Sequence, residues 1–563
     1  MFVDLGSTWA GGTGFARDRV DALNLTSLDL ASVGVDVIYG GVNAVMGSMY
    51  ADHLLGSAND EQFMGLAGND LIDGRGGFDI AQYNNMTFTT GGISVHMANG
   101  NVDGDASTGN DMLRSIEGIQ GTNFNDAYDA TNFGAAGHLD PLLSNVGNNG
   151  TFNQFEGMGG DDTITGNGNT RVIYFNATAG VTVDIDDGTA DGDASVGHDD
   201  FSGVNGVVGS DFADVLSGGN NALGTIEWFV GRGGNDTIDG RGGFDVADYS
   251  NDSATLTTGI TVHMSAGTVD GDAEVGRDTL VSVESVIGTR LNDIYDAVNF
   301  VGFNEFQGLG GNDQIFGNGA TQLGYYSATS SVTVDMQLGT ADGDASVGHD
   351  IFDGVKEVRG SNFGDSIYGN DDDNIIDGFS GNDLLDGRGG DDDLHGGSGA
   401  DTFVYTTGAD TVEDFNRADG DRIDLSGVPG VHSLADVTFV TEGSNTLIDF
   451  GERGTLDLRG VTTLVESDFI FAAPPNDAPA ISFAPTYLHF GGDSAAIGPA
   501  TTTHVGNGAE DGVTLAGWVN WDGQGNAEDA QLLFYNGSTS DAGFGVNGMM
   551  TEGGLALHIY AGG

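Results

Sequence analysis

The sequence predicts an all-β protein built largely as a solenoid of short coils, and three observations predict it. Residues 369–404 fall into four abutting nonapeptides, GNDDDNIID, GFSGNDLLD, GRGGDDDLH and GGSGADTFV, each with glycine first and an apolar residue eighth. The sixth position is Asn374 and then Asp383, Asp392 and Asp401, so the acidic residues keep one register. Glycine fills 98 of 563 positions, and the glycines are spaced rather than scattered.

A nine-residue half-coil needs a sharp turn, which glycine permits because positive φ costs it little. A short strand follows, pointing one apolar side chain such as Leu385 or Leu394 inward. Two nonapeptides make one coil, so residues eighteen apart, such as Asp383 and Asp401, are expected to stack on one edge. Stacked strands lie about 4.7–4.9 Å apart, well inside the Debye length of about 8 Å. At about 4 Å a like-charged pair costs on the order of 1 kcal/mol in water and roughly 4 at intermediate dielectric. Burying one Leu or Ile contributes about 1.5–3 kcal/mol, so the metal-free stack is expected to be marginal. A hard divalent cation held by carboxylates and turn carbonyls reverses the sign of the edge term.

GRGGDDDLH and GGSGADTFV resemble the G-G-x-G-x-D-x-U-x calcium-binding repeat of RTX (hemolysin-type) proteins. The resemblance implies a parallel β-roll and Ca2+ as the bound ion. It nominates as ligands Asp70, Asp79, Asp162, Asp236, Asp245, Asp313, Asp365, Asp383, Asp392 and Asp401, with the turn glycines Gly378, Gly381, Gly387, Gly389, Gly396 and Gly399. The competing reading of the sixth-position aspartates is an Asx-turn role.

Residues 1–46 form a lead-in, with short strands expected at 24–30 and 35–39. Tandem modules occupy 47–359, beginning GSMYADHLL, GSANDEQFM, GLAGNDLID, GRGGFDIAQ. Within them a longer element recurs from Ile93, Val181, Ile260 and Val332. Each copy opens with the apolar/polar alternation of a half-buried strand and closes on a Gly-Ser or Gly-Thr block with Asp126, Asp214, Asp293 or Asp365 sixth. The first and third copies follow GRGGFD and the second and fourth follow GNG, which suggests duplication of a two-part module. Each copy also carries an acidic pair: Asp103 and Asp105, Asp191 and Asp193, Asp270 and Asp272, Asp342 and Asp344. A second class of calcium site and solvated turn carboxylates both fit these pairs. His198 and His349 occupy a place held by Asn110 and Arg277 in the other copies, so surface histidines are expected there rather than zinc ligands.

A core roll at 360–404 precedes a cap at 405–472, since an end coil exposes an unpaired edge. Asp401, Phe403, Asp410, Asp414, Phe415, Asp421 and the run Ile423-Asp424-Leu425 resemble the cap of serralysin-type proteases. A proline-rich linker at 473–480 leads to 481–563. That segment, with YLHFGGD, LAGWVNWDG, QLLFYNG and LALHIYAGG, resembles the opening strands of a laminin-G or concanavalin-like jelly roll and is read as a partial β-sandwich.

Acidic residues outnumber basic ones 84 to 16, a net charge of -68, which disfavours nucleic acid and anionic membrane surfaces and favours cations. There is no cysteine, hence no disulfide framework. MFVDLGSTWAGG has neither a basic n-region nor an apolar h-region, and no stretch approaches a membrane span. The resemblance implies export through a one-step channel (type I secretion) to an extracellular location. No H-E-x-x-H, G-x-S-x-G, P-loop or EF-hand loop occurs. The expectation is therefore a non-enzymatic, calcium-dependent adhesive scaffold that presents its last segment to glycans or other cell-surface ligands. The alternative is an accessory region of an extracellular protease, lipase or polysaccharide-modifying enzyme.

Overall fold

Glycine-initiated turns and period-two strands give this chain its architecture. The structure, a computed structural model, describes residues 42–472 apart from 85–87, 136–144, 146, 149, 223 and 251–255. Outside that range it describes the strands Phe2–Trp9, Gly12–Arg17, Val35–Val37, His489–Phe490, Asp493–Ser494, Trp518–Val519, Phe544–Thr551 and Gly554–Ala561. The expected strand at 24–30, the linker and the QLLFYNG stretch lie outside the described residues. Among the described residues there is no α-helix. The chain divides into two units, 1–473 and 474–563.

In the first unit most nonapeptides contribute a three-residue strand whose middle, eighth-position side chain is buried, as at Leu54, Ile72, Ile367, Ile376, Leu385, Leu394 and Phe403. Successive strands alternate between two parallel rows, and in tandem blocks the register is eighteen residues. Leu385 sits between Ile367 and Phe403 in one row, and Ile376 pairs with Leu394 in the other. The parallel β-roll predicted from the repeats is thus the observed fold. Phe2–Trp9 pairs parallel with His53–Leu55 at the first row's beginning.

The long elements fold as three-strand antiparallel meanders inserted into one row. The first is Ser94–His96, Asn101–Asp103 and Asn110–Arg114. Its order in the row is inverted. The third strand pairs parallel with the preceding coil strand Leu71–Asp73, whereas the first pairs parallel with the following coil strand Ala127–Asp129. The same inversion recurs around Thr182–Asp184, Thr261–His263 and Thr333–Asp335. Gly100, at φ 68° in the tight turn of the first meander, packs so closely on the Leu113 carbonyl that a Cβ would overlap it. The two-part module repeats in the core, where Tyr128 stacks on Phe155 at 4.6 Å and Tyr295 on Phe306 at 4.7 Å.

Beyond Val404 one row continues through Arg422–Asp424 to Phe469–Ile470. The other continues through Gly408–Val412 to Gly454–Leu458, where it turns antiparallel through Asn445–Asp449 and Thr438–Glu442. In the second unit Phe544–Thr551 and Gly554–Ala561 form an antiparallel hairpin, joined by Trp518–Val519.

Candidate metal centres

The sixth-position carboxylates form ladders along the edges of the stack. The backbone N–H of each sixth residue donates to a carboxylate oxygen of the residue one coil further on. Asp52 N–H donates to Asp70 Oδ1 at 2.7 Å, Asp365 to Asp383 at 2.7 Å, Asp383 to Asp401 at 2.9 Å and Asn374 to Asp392 at 2.8 Å. Across the longer spacings Asp126 N–H donates to Asp162 at 2.8 Å, Asp214 to Asp236 at 2.9 Å and Asp293 to Asp313 at 2.9 Å. Beyond Val404, Asp410 accepts from Asp392 and Asp421 from Asp401, while Asp414 takes the Gly396 and Gly397 amides.

The second carboxylate oxygen divides the ladder into two kinds of block. In Asp70, Asp79, Asp162, Asp236, Asp245, Asp313, Asp383, Asp392 and Asp401, Oδ2 is buried with no hydrogen-bond partner. Each of these residues is no more than 3% exposed. A buried anionic oxygen without a partner is costly, and here it points back over the first glycine of its own block. A Cβ on Gly65, Gly157, Gly231, Gly308, Gly378, Gly387 or Gly396 would overlap that oxygen, which explains the glycine physically. The second residue of these blocks is left-handed, with φ 60–73° at Leu66, Arg75, Met158, Arg232, Arg241, Leu309, Phe379 and Arg388. Fourth-position Gly381 and Gly399 lie at φ 136° and 138°. Among the described residues, nothing donates a hydrogen bond to the carbonyls of Gly378, Gly381, Gly387, Gly389, Gly396 or Gly399.

Asp365 stands apart from the other nine nominated aspartates. Ser361 N–H donates to its Oδ2 at 2.5 Å, and the Ser361 hydroxyl and Val332 N–H donate to Oδ1 at 2.8 and 2.7 Å. Asp126, Asp214 and Asp293 are held the same way by Thr122, Ser210 and Thr289, and by the amides of Ile93, Val181 and Ile260. The hydroxyl also accepts from the amide two residues on, as Ser361 does from Phe363 at 3.0 Å, which closes an ST turn. A second-position Ser or Thr therefore supplies the protein donors that the other blocks lack.

Electrostatics follow this division except at Asp401, which burial raises only to about 6. Burial, reinforced by a neighbouring carboxylate, pushes Asp162, Asp236 and Asp313 up to about 9, the neighbours being Asp199, Asp278 and Asp350. Burial raises Asp70, Asp245, Asp383 and Asp392 to about 7 and Asp79 to about 8. The hydrogen-bonded Asp126 and Asp293 rise only to about 6.

The second member of each exposed acidic pair accepts a turn amide. Asp105, Asp193 and Asp344 accept the amides of Ser107, Ser195 and Ser346 at 2.7–2.8 Å, and Asp272 accepts that of Glu274 at 2.9 Å. The hydroxyls of Ser107, Ser195 and Ser346, with these amides, hold Asp105, Asp193 and Asp344 below the usual carboxylate range, and the Thr257 and Glu274 amides do so for Asp272. His198 and His349 are exposed and pair with Asp191 at 2.7 Å and Asp342 at 2.6 Å.

Among the described residues no three His, Cys, Asp or Glu side chains converge as a metal cluster. A cation at these turns would draw on the orphaned Oδ2 atoms together with turn carbonyls. That all-oxygen donor set suits a hard ion such as Ca2+, which would neutralise the ladder and supply the missing partner of each buried oxygen.

Comparison with known proteins agrees. The RTX calcium-binding nonapeptide repeat (4 copies) matches residues 46–81, 224–248, 301–320, 359–394 and 377–412. The chain carries repeats of the type that bind Ca2+. Asp162 lies outside the matched segments yet has the same geometry as Asp313 within them. No curated protein matches the chain. Among solved structures, the crystal structure of the extracellular lipase LipA from Serratia marcescens is similar at 14% identity and a TM-score of 0.12, covering 56% of this chain. The match spans 45% of that lipase, less than half its length.

Proposed function

We propose that this chain is a calcium-dependent structural and adhesive scaffold of a secreted or surface-attached bacterial protein. The observation that carries the reading is the row of buried carboxylate oxygens without protein partners. Calcium supplies those partners, so the stack reaches full stability only where calcium is abundant, as outside the cell. Proteins with RTX repeats are typically secreted by type I systems, and no helix among the described residues is long and apolar enough to cross a membrane. The scaffold is non-enzymatic in this reading, and the segment after the linker, read as laminin-G-like, presents a surface to glycans or cell-surface ligands.

The test is a far-UV circular dichroism titration of the full chain with calcium, with magnesium as control. Calcium in the range of roughly 10⁻⁴–10⁻³ M, as for extracellular modules, is expected to convert a largely unfolded spectrum to a β spectrum. A spectrum that calcium leaves unchanged would overturn the proposal.

A further inference from the structure

The third strand of every meander begins with a sequence whose place in the stack is that of a nonapeptide's second half. Gly109-Asn110-Asp111-Met112-Leu113 repeats the pattern of Gly68-Asn69-Asp70-Leu71-Ile72 in the coil beneath it. The corresponding stretches are Gly197 to Phe201 over Gly160 to Ile164, Gly276 to Leu280 over Gly234 to Ile238, and Gly348 to Phe352 over Gly311 to Ile315.

Four features make the two superposed segments equivalent to tandem nonapeptides. The first glycine lies on the carbonyl of the fourth-position glycine below, so a Cβ on Gly109, Gly197, Gly276 or Gly348 would overlap Gly68, Gly160, Gly234 or Gly311, just as one on Gly399 would overlap Gly381. The next amide donates to the fifth-position side chain below, Asn110 to Asn69 at 3.1 Å and Arg277 to Asn235 at 2.8 Å, as Ala400 does to Asn382 at 2.8 Å. The aspartate accepts the sixth-position amide below, Asp111 from Asp70 at 2.8 Å, Asp199 from Asp162 at 3.0 Å, Asp278 from Asp236 at 2.8 Å and Asp350 from Asp313 at 3.0 Å. The strand that follows pairs in parallel register, Leu113 opposite Ile72 and Phe201 opposite Ile164.

We propose that these cryptic half-nonapeptides complete four calcium sites, in which Asp111, Asp199, Asp278 and Asp350 join Asp70, Asp162, Asp236 and Asp313 as ligands. The proposal rests on the calcium reading above and extends it to residues outside every segment matched by the repeat family. Each pair is buried to 4% exposure or less, and Oδ2 of Asp70, Asp162, Asp236 and Asp313 has no partner, while Tyr83 lies beside Asp111. Such orphaned oxygens call for a ligand. The turn that leads into each half-repeat brings a carbonyl over the third-position glycine of the block below in three of the modules, Ala194 over Gly159, Glu274 over Gly233 and Ala345 over Gly310. These add oxygen donors of the kind a calcium ion takes. Tyr249 and Tyr325 donate to Oδ2 of Asp278 and Asp350 at 2.9 and 3.3 Å, so in these two pairs the demand for an ion comes from the unpartnered Oδ2 of Asp236 and Asp313. An open cavity of about 370 Å³ lined by Asn69, Asp70, Asp103, Asn110 and Asp111 adjoins the first pair.

The test is bound calcium per chain, measured by equilibrium dialysis of the full chain at the lowest free calcium that saturates the wild type. The variant D111N/D199N/D278N/D350N is expected to lose four ions, and the exposed-turn control D105N/D193N/D272N/D344N none. A four-site variant that binds as many ions as the wild type would overturn the inference and leave the nonapeptide sites standing. A wild type that binds none would overturn the calcium reading itself. If the fourfold variant does not fold in calcium, Asp199→Asn alone, with a wild-type dichroism spectrum, is expected to lose one ion; an unchanged count refutes the site.

Discussion

Removing calcium and varying pH should make this protein respond in the opposite sense to most acidic proteins. Asp383 is 2% exposed, and its carboxyl is raised to about 7 in the fold against 3.8 for the unfolded chain. Below about pH 3.8 both states hold the proton; between 3.8 and 7 only the folded state does; above 7 neither does. Stability of the metal-free chain therefore falls as pH rises through that window and levels off beyond it. The difference of about 3.2 pH units, 7 minus 3.8, at about 1.36 kcal/mol each amounts to about 4 kcal/mol from this one residue at pH 8. That is a large share of a typical folding free energy of about 5–15 kcal/mol. For Asp162, Asp236 and Asp313 the same loss extends up to about pH 9. The assay is urea unfolding of metal-depleted protein at pH 5 and pH 8, with a calcium-saturated series beside it. Acid is expected to stabilise the depleted protein, and calcium to flatten the dependence. A metal-depleted chain as stable at pH 8 as at pH 5 would refute the claim that these carboxylates lack partners.

Three further outcomes are expected. Ser361→Ala removes one hydrogen bond to Asp365 and should cost about 0.5–1.5 kcal/mol in saturating calcium without changing the number of bound ions; a change in that number would show Asp365 to be a ligand. Gly157→Ala drives a Cβ into Asp162 Oδ2, an overpacking worth about 1–3 kcal/mol, and should raise the calcium midpoint seen by circular dichroism. Arg388→Lys breaks the bidentate pair with Asp335, whose bonds are 2.8 and 2.7 Å. It should cost about 0.2–1 kcal/mol by urea midpoint, with the loss shrinking at high salt.

The nonapeptide register was legible because three residue types at fixed positions each have one physical job. Glycine first makes room for a carboxylate, aspartate sixth supplies it, and the eighth residue is buried, as Leu385 and Leu394 show. Spacing alone could not tell Asp365 from Asp383. Their difference lies in whether the second residue is left-handed, as Phe379 is, or a serine whose amide and hydroxyl fill the carboxylate's acceptor sites. Ser361 was visible in the sequence as the signal. Asp111, Asp199, Asp278 and Asp350 carry no nonapeptide signal because they stack over a partner 37 to 42 residues away instead of eighteen. Once a meander intervenes, linear period no longer reports which strands are neighbours. The alternation at the start of each long element did locate its first strand, as at Ser94–His96.

The inverted meanders also set the order in which the stack can be built. The coil strand Ala127–Asp129 rests on Ser94–His96, the meander strand made earliest, while Asn110–Arg114, made last, rests on the coil before. In that row Ala127–Asp129 therefore has its neighbouring strand only when the meander is in place, whereas in the other row Gly118–Gln120 pairs directly with Ile80–Gln82. The meander-bearing row is thus expected to close in whole modules while the other row can grow coil by coil.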